Sequence, residues 1–380
     1  MANSASLPDA VRQRREEIDQ KHRLLASFLE DQQLDALLLR RVDMIAWFTA
    51  GADATAGASS EELASLALFI TPEARSVLAT NDYAARFFEE EIAQLGFQLK
   101  ERRWYEGLDR LLTDICRSRK VATDWPTEGL LYRFDELRAL RIELNRHEQR
   151  RLTALGIDLA HAVEATCRNT MVGDTECEVA GQLAHRMLRH GITPLRILVA
   201  ADERSAEFRL AVPKGNRVQR RVTVAAVGRR FGLCAYACRT VCFGPPDEAF
   251  LQRFHAATMV EAAMIYQSSL NKTVGTVFQV AKRIYEKTGF PNEWVLARQG
   301  YGIGYSPDEY PLVPDEPRIL GPNMAVAWSP SVGDARSGDT ILLGKQSYRI
   351  VTPCRDWPVV AVQVAGNLIE RPGVYIRPAD

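Results

Sequence analysis

Residues 222–244, VTVAAVGRRFGLCAYACRTVCFG, decide how this chain folds. Their apolar residues and two glycines, Gly228 and Gly232, predict two neighbouring strands joined through those glycines. Cys234, Cys238 and Cys242 recur every four residues, which places them on one face of the second strand. No Asp or Glu occurs between Phe208 and Pro246. The predicted hairpin therefore offers no carboxylate to a reaction or to a metal ion.

Bulk composition predicts an ordinary globular protein. A length of 380 residues suggests two domains, and 46% apolar with 25% charged residues is enough to bury a core. The formal net charge of zero predicts neither a nucleic-acid partner nor a membrane-surface partner. The chain has no apolar run of 18 residues and no apolar signal core at its start, so we expect no membrane segment and a cytoplasmic location. The seven cysteines contain no C-x-x-C pair, which favours small buried hydrophobes over a functional cysteine cluster.

Alternating strands and helices over about the first 130 residues predict a compact α/β domain with a mixed sheet. A helix is expected at about 8–33, with Ser6 as its cap and Pro8 in its first turn. A strand pair is expected at 64–70 and 76–80, and further helices at 83–95 and 108–117. Long helical patterns at 147–167, 176–189, 248–270 and 274–288 belong to the second part of the chain, so the domain boundary is expected near Asn145.

The 222–244 hairpin resembles the metal-bearing hairpin of the pita-bread hydrolases, which include methionine aminopeptidase, aminopeptidase P, prolidase and creatinase. Their pattern is roughly a hydrophobic residue, D-x-G, an aromatic residue, a glycine and D-x-x-R-T-x-x-x-G. Three later stretches also resemble family motifs: QGYGIGYSPDEYP at 299–311, PNMAVAWSPSV at 322–332 and ARSGDTILL at 335–343. The hairpin residues that match the pattern are Gly228, Phe231, Gly232, Arg239, Thr240 and Gly244.

This resemblance implies an α+β protein of two domains. A smaller α/β domain of the creatinase/prolidase type would occupy 1–145, and a pita-bread aminopeptidase-like domain would occupy 146–380. The family usually forms homodimers in which the N-terminal domain of one subunit lies close to the cleft of the other. A homodimer is therefore the expected assembly.

The resemblance fails at the metal ligands. The five positions that would hold Asp, Asp, His, Glu and Glu carry Ala226 (Ala225 if the gap moves), Tyr236, Tyr301, Ser329 and Gly338. A second family His falls at Asp308, and an upstream one falls near Phe208 or Arg209. All six histidines lie at or before His255. A pair of ions about 4 Å apart needs bridging carboxylates, so the sequence predicts no metal and no other cofactor.

Losing the metal has a large chemical cost. A bound metal lowers the pKa of water from about 15.7 to about 7. At roughly 1.36 kcal/mol per unit, making hydroxide at neutral pH without it costs about 12 kcal/mol more. A metal-free enzyme on this scaffold would need a general base of tuned pKa and a substrate more labile than a peptide.

The substituted positions should still converge on the cleft. An aromatic pocket with one Arg and two acids would bind a small-molecule or peptide-like ligand that carries a carboxylate or an amine. Three alternatives stay open: Arg239 pairs with Asp339 or Glu309, Asp308 and Glu309 form a solvated loop pair, and the tyrosines fill the vacated metal volume. The ligand-binding candidates are Tyr236, Arg239, Gln299, Tyr305, Trp328 and Ser329, and the catalytic candidates are Asp308, Glu309 and Tyr301.

Three functions fit these residues. The favoured one is an Xaa-Pro peptidase-like pseudoenzyme that has lost hydrolysis and binds a small ligand or a protein. The second is a metal-independent, creatinase-like hydrolase of a small C–N substrate that uses Asp308, Glu309, Tyr301 and Arg239. The third is a genuine Xaa-Pro aminopeptidase or dipeptidase whose ligands lie at other positions.

Overall fold

The computed structural model describes residues 8–58, 60 and 62–378. The chain divides into two compact units, Met1–Arg141 and Ile142–Asp380, called here the N-terminal and C-terminal units. The division falls at Arg141, a few residues before the boundary expected near Asn145. Within the described residues, no helix has the length and apolar character needed to cross a membrane.

The N-terminal unit is built of five α-helices and six strands in its described part. Pro8 directly precedes the first helix, while the predicted cap Ser6 lies outside the described residues. A 3₁₀ turn covers Trp104–Glu106. The elements, in chain order, are α1 Asp9–Asp31, β1 Ala36–Arg41, α2 Val42–Phe48, β2 Leu63–Ile70, β3 Arg75–Thr80, α3 Asn81–Arg86, β4 Gln98–Arg102, α4 Leu108–Cys116, β5 Val121–Thr123, β6 Leu131–Tyr132 and α5 Phe134–Ala139.

The six strands form one sheet in the order β4-β3-β2-β1-β5-β6. β1 pairs antiparallel with β2 and parallel with β5, so the sheet is mixed, as predicted. The strand pair predicted at 64–70 and 76–80 is confirmed as β2 and β3. Their turn is closed by the Thr71 N–H, which donates to the Ala74 carbonyl at 2.9 Å. Apolar side chains of β1, β2, β3 and α4 pack together as the core of this unit.

One predicted helix is wrong in extent. The pattern at 83–95 predicts a single helix, but α3 ends at Arg86 and a π-helical turn follows at Phe87–Glu91. The Glu91 carboxylate accepts hydrogen bonds from the Asp53 N–H at 3.0 Å and from Arg86 at 2.8 Å. The contact with Asp53 joins residues 38 positions apart, which a periodic pattern cannot reveal.

A buried carboxylate ties β5 to β1. Asp124 accepts the backbone N–H groups of Arg40 at 2.7 Å and Arg41 at 3.0 Å. Burial raises the pKa of Asp124 to about 7, although the two N–H bonds favour the charged form. Because this pKa lies above that of an unfolded Asp, Asp124 favours folding below about pH 4, and this contribution is lost as pH rises through about 7.

We therefore expect Asp124→Asn to remove one component of the pH dependence of folding. As pH falls from 7.5 to 4.5, the wild type should gain about 3 kcal/mol of unfolding free energy relative to the variant. Urea unfolding of both full-length proteins across this range measures the difference, in which all other titrating groups cancel. A difference that is constant with pH would show that Asp124 stays ionised in the fold.

The C-terminal unit carries five α-helices and twelve strands in its described part. A 3₁₀ turn lies at Glu293–Val295. The elements, in chain order, are α6 Arg146–Asn169, α7 Glu176–Arg189, β7 Thr193–Ala201, α8 Arg204–Glu207, β8 Arg221–Arg230, β9 Leu233–Phe243, α9 Glu248–Ser268, α10 Val274–Lys287, β10 Gly300–Ile303, β11 Ala325–Trp328, β12 Ser331–Val332, β13 Ala335–Arg336, β14 Asp339–Leu343, β15 Tyr348–Ile350, β16 Val359–Val364, β17 Asn367–Pro372 and β18 Tyr375–Arg377.

An eight-stranded sheet organises this unit. Its main path runs β10-β11-β14-β9-β8-β7, with β15 paired to β14 and β18 paired to β9. β8 and β9 form the predicted hairpin, and their turn is Phe231-Gly232 with φ of 53° and 77°. Two positive φ values are typical of the type I′ turn. Gly228 lies inside β8 rather than in the turn, and a Cβ at this position would clash with Ile192 at 2.5 Å.

One face of this sheet is packed by helices and is called the helix face. α6 packs on β8 and β9. α9 and α10 share an apolar cluster with Val326 and Trp328 of β11 and Ile341 of β14. The opposite face, called the cleft face, carries the site residues described next.

Candidate functional site

Strand register assigns each candidate side chain to one face of the sheet. Residues directly opposite each other on antiparallel strands share a face, and neighbours along a strand alternate. Tyr236 is opposite Val227, and Cys238 is opposite Ala225, so these side chains lie on the cleft face. Ala226 is opposite Ala237 on the helix face. Of the two positions that the resemblance allows for the first family aspartate, Ala225 is the one on the cleft face.

Tyr236, Ser329 and Gly338 fit one another. The Tyr236 hydroxyl and the Ser329 Oγ are 2.7 Å apart in a hydrogen bond, and both side chains are buried. A Cβ at Gly338 would lie 2.7 Å from Cε1 of Tyr236 and 2.9 Å from the Trp328 carbonyl oxygen. The Tyr236 ring thus occupies space next to Gly338 that a longer residue would need. Tyr301 closes the group, with its ring centroid 6.4 Å from that of Tyr236.

The donor atoms at these positions do not suit a pair of divalent ions. Ala225, Tyr236, Tyr301, Ser329 and Gly338 supply neither a carboxylate nor an imidazole, and bridging such ions needs carboxylates. Burial raises the pKa of Tyr236 well above its usual range, so its phenol stays neutral. In the part of the chain that the structure describes, no group of three or more His, Cys, Asp or Glu side chains is placed to hold a metal ion.

The cysteine on this face does not replace the missing ligands. Burial raises the pKa of Cys238 to about 11, and only the thiolate is a good metal ligand or nucleophile. Cys234 and Cys242 are likewise buried on the same strand. The repeat of three cysteines is therefore part of the packing of β9.

Three arginines surround the substituted positions. The Arg196 guanidinium lies 5.5 Å from the centroid of the Tyr301 ring, and its Nη2 is 3.7 Å from Asp308. Arg209 forms a salt bridge with Glu293 at 2.7 Å. Arg336 lies beside Tyr236 and donates a hydrogen bond to the Arg209 backbone carbonyl. In the sequence, Arg336 belongs to the motif stretch at 335–343 and Arg209 lies near the position of the upstream family histidine, whereas no local pattern marks Arg196 as a site residue.

Two neighbouring pockets open on the cleft face and share Leu198 and Arg336. The smaller pocket, between Arg196, Tyr236 and Tyr301, leaves room for roughly one water molecule. By the same measure the larger pocket leaves room for roughly two or three water molecules, and it contains about 370 Å³ of empty space when its open mouth is included. Its lining residues are Leu198, Ala200, Ser205, Phe208, Arg209, Ala211, Thr223, Ala225, Ser331, Gly333, Asp334, Ala335 and Arg336.

Comparison with known proteins identifies the family. The family model for metallopeptidase family M24 matches residues 152–352, more than half of the 380-residue chain. The chain belongs to metallopeptidase family M24. No curated protein matches this M24 chain significantly.

Solved structures share its fold at low sequence identity. The prolidase from Pyrococcus horikoshii OT3 matches with a TM-score of 0.75 and 17% identity, covering 90% of this chain and 99% of that one. The Xaa-Pro dipeptidase from Bacillus anthracis matches with a TM-score of 0.75 and 15% identity, covering 97% and 100%. The N-terminal domain of the FACT complex subunit SPT16 from Cicer arietinum matches with a TM-score of 0.66 and 13% identity, covering 92% and 97%. The predicted α+β fold, a pita-bread domain preceded by a smaller N-terminal domain, is confirmed.

Arg239 does not reach the cleft of this M24 chain. It lies three residues after Tyr236 on β9, so alternation places it on the helix face. There it is fully buried and bonded to Glu164 at 3.1 Å and to Asp339 at 2.9 Å. Its prediction as a ligand-binding residue is wrong, and the alternative of a pair with Asp339 is confirmed. A period-two count along β9 would have found this.

Three further ligand-binding candidates are engaged elsewhere. Trp328 is directly opposite Asp339 on the helix face and donates its indole N–H to Ser268 at 3.0 Å. Gln299 is buried and accepts the Tyr285 hydroxyl at 2.6 Å. The Tyr305 hydroxyl donates to Glu148 of α6 at 2.8 Å. Only Tyr236 and Ser329, of the six ligand-binding candidates, contact each other on the cleft face.

The catalytic candidates do not converge either. Asp308 is 45% exposed and pairs with Arg298 at 3.1 Å, as a solvated loop residue would. Glu309 is buried, and its carboxylate accepts the Ser306 backbone N–H at 2.6 Å, which closes the loop locally. Of the three catalytic candidates, Tyr301 lines the smaller pocket.

Proposed function

We propose that this M24 chain is a pseudoenzyme that binds a small ligand in its cleft and does not hydrolyse Xaa-Pro peptides. The observation that carries this proposal is the mutual fit of Tyr236, Ser329 and Gly338. These residues stand where the family pattern has Asp, Glu and Glu, and they form a hydrogen bond and a close packing contact with one another. Such a fit is typical of a cleft that has been rebuilt around new side chains.

The chemistry of the remaining groups supports the loss of hydrolysis. Without a metal, making hydroxide at neutral pH costs about 12 kcal/mol more, and a general base must replace the metal. Tyr236 is held neutral by burial. The Asp308 carboxylate pairs with Arg298 and lies 3.7 Å from Arg196, and the Glu309 carboxylate accepts the Ser306 backbone N–H, so both acids are already engaged. The metal-independent hydrolase is less well supported, because Arg239, one of its four proposed residues, faces the helices.

We propose that residues 1–145 are a creatinase/prolidase-type N-terminal domain and 146–380 a pita-bread aminopeptidase-like domain. Support comes from the prolidase of Pyrococcus horikoshii and the Xaa-Pro dipeptidase of Bacillus anthracis, whose structures match 90% and 97% of this chain. We also propose a cytoplasmic homodimer, in line with the resemblance to the family. No nucleic-acid or membrane partner is proposed, in line with the zero net charge.

Metal analysis tests the proposed function. The purified full-length chain is incubated with Mn²⁺, Co²⁺ or Zn²⁺, freed of unbound metal, and assayed for bound ions and for hydrolysis of Xaa-Pro dipeptides. We expect well under one ion per chain and no hydrolysis above background, with a catalytically active prolidase as the control. Two bound ions per chain together with chelator-sensitive hydrolysis would contradict the proposal and show that the chain is a genuine Xaa-Pro peptidase. Chelator-resistant hydrolysis that Asp308→Asn or Glu309→Gln abolishes would establish the metal-independent enzyme instead.

A further inference from the structure

The cleft lacks the carboxylates of the family metal site but contains arginine side chains. Four of the five ligand positions would carry carboxylates in the family pattern, and none carries one here. Arg336 remains on the cleft side and lines both pockets. In the family pattern this cleft holds metal cations between carboxylates. In this chain those carboxylates are absent, and a guanidinium lines the pockets instead. The sign of the local charge is the reverse of what a metal site requires.

Arg336 has no counter-charge among the residues that the structure describes. Its guanidinium donates to the Arg209 carbonyl and lies against Tyr236, Cys238 and Tyr301. Burial raises the pKa values of Tyr236 and Cys238, so both groups stay neutral at pH 7. An arginine cannot lose its proton in a protein. Arg336 is partly exposed where it lines the pocket, so a bound anion could reach its guanidinium and pair with its charge there.

The nearby charged groups do not neutralise Arg336. Arg209 is already paired with Glu293 at 2.7 Å. Asp334 also lines the larger pocket, but it is bound by Arg253 at 2.7 Å and by Arg221 at 2.5 Å. The larger pocket therefore contains one positive charge for which the described residues offer no acid.

The rest of the larger pocket suits a short hydrocarbon with one polar end. Leu198, Ala200, Ala211, Ala225 and Ala335 give it apolar walls. The hydroxyls of Ser205 and Thr223 are already bonded, to the Asp202 carbonyl at 2.6 Å and to Thr240 at 2.9 Å. One unpaired guanidinium matches the planar, singly charged carboxylate, which it can bind with two parallel hydrogen bonds.

We propose that the larger pocket binds a small organic carboxylate, with its carboxylate on Arg336 and its hydrocarbon part against Leu198 and the alanines. This rests on the proposed function, because it requires a cleft without metal ions. The ligand class is narrower than the carboxylate- or amine-bearing ligand that the sequence implies. An amine would be repelled by Arg336 and would find no free carboxylate among the lining residues that the structure describes.

The test uses acetate and butyrate as probes, with acetamide and butyramide as uncharged matches. Thermal unfolding of the EDTA-treated full-length chain is followed at constant ionic strength with each probe. We expect acetate and butyrate to raise Tm, with the larger rise for butyrate, and the two amides to leave it unchanged. Equal shifts for carboxylate and amide, or a shift with inorganic phosphate as large as that with butyrate, would overturn the proposal.

Variants locate the site. Arg336→Met should weaken butyrate binding at least tenfold, while its unliganded Tm should stay the same or rise, since an uncompensated cation is removed. Arg336→Lys keeps the charge and should retain weakened binding. Arg283→Met removes an exposed arginine of α10 as a matched control and should bind butyrate like the wild type. Wild-type affinity in Arg336→Met would contradict the assignment of the site.

The two proposals fail separately. Bound metal with peptidase activity would refute the proposed function, whatever butyrate does. A metal-free chain that neither hydrolyses peptides nor responds to butyrate would leave the pseudoenzyme standing and refute only the carboxylate ligand.

Discussion

Replacing Arg239 with methionine should lower the free energy of unfolding by about 3–5 kcal/mol, the usual cost of breaking a buried ion pair from one side. Arg239 bonds Glu164 and Asp339, and the three side chains are at most 1% exposed. Arg371 continues the network to Asp339 and to Glu261 of α9. Without Arg239, Glu164 would keep Arg168 at 4.0 Å and the Arg355 N–H at 3.4 Å, and Asp339 would keep Arg371 and the Thr352 hydroxyl.

Urea unfolding at pH 7 measures this effect. The matched control is Arg298→Met, which breaks the exposed pair with Asp308 and should cost at most about 1 kcal/mol. Because Arg239 lies on the helix face, Arg239→Met should also leave butyrate binding unchanged once the protein is folded. Equal costs for the two variants would mean that water reaches the Arg239 network.

Adding a single methyl group at Gly338 should cost about 1–3 kcal/mol of unfolding free energy, because it overpacks a filled site. The new Cβ would meet the Tyr236 ring at 2.7 Å and the Trp328 carbonyl at 2.9 Å. Removing the ring with Tyr236→Ala should relieve the first contact and leave the second. The cost of Gly338→Ala should therefore fall by about 1 kcal/mol or more in the Tyr236→Ala background.

A double-mutant cycle of wild type, the two single variants and the double variant gives this coupling energy. Thr340→Ser in the Tyr236→Ala background serves as a control, since Thr340 bonds the Tyr236 backbone rather than its ring. A coupling energy near zero would mean that the cost of Gly338→Ala does not depend on the Tyr236 ring. That result would remove the observation on which the pseudoenzyme proposal depends.

Much of the candidate site could be read from residue order alone. The missing acids at Tyr236, Ser329 and Gly338 are visible in the sequence, and so is the lack of histidine after His255. The residues on each face of β9 could also be predicted from the sequence, since side chains alternate along a strand. Counting from Tyr236 to Arg239 would have placed the arginine among the helices. The faces of β8 could not be assigned in this way, because the assignment needs the pairing register of β8 with β9. Only the pairing of Ala225 with Cys238 shows that Ala225 faces the cleft.

The sequence by itself determined the family fold, the two-part organisation and the absence of metal-binding side chains at five positions, because these depend on local periodicity and on motif residues a few positions apart. Tertiary structure alone showed that Arg336 lines the cleft pockets and which acids pair with each arginine. Arg239 meets partners 75 and 100 residues away, and Arg336 meets no described acid at all. Whether a charge is paired depends on side chains brought together by the fold, and no local pattern records such distant partners.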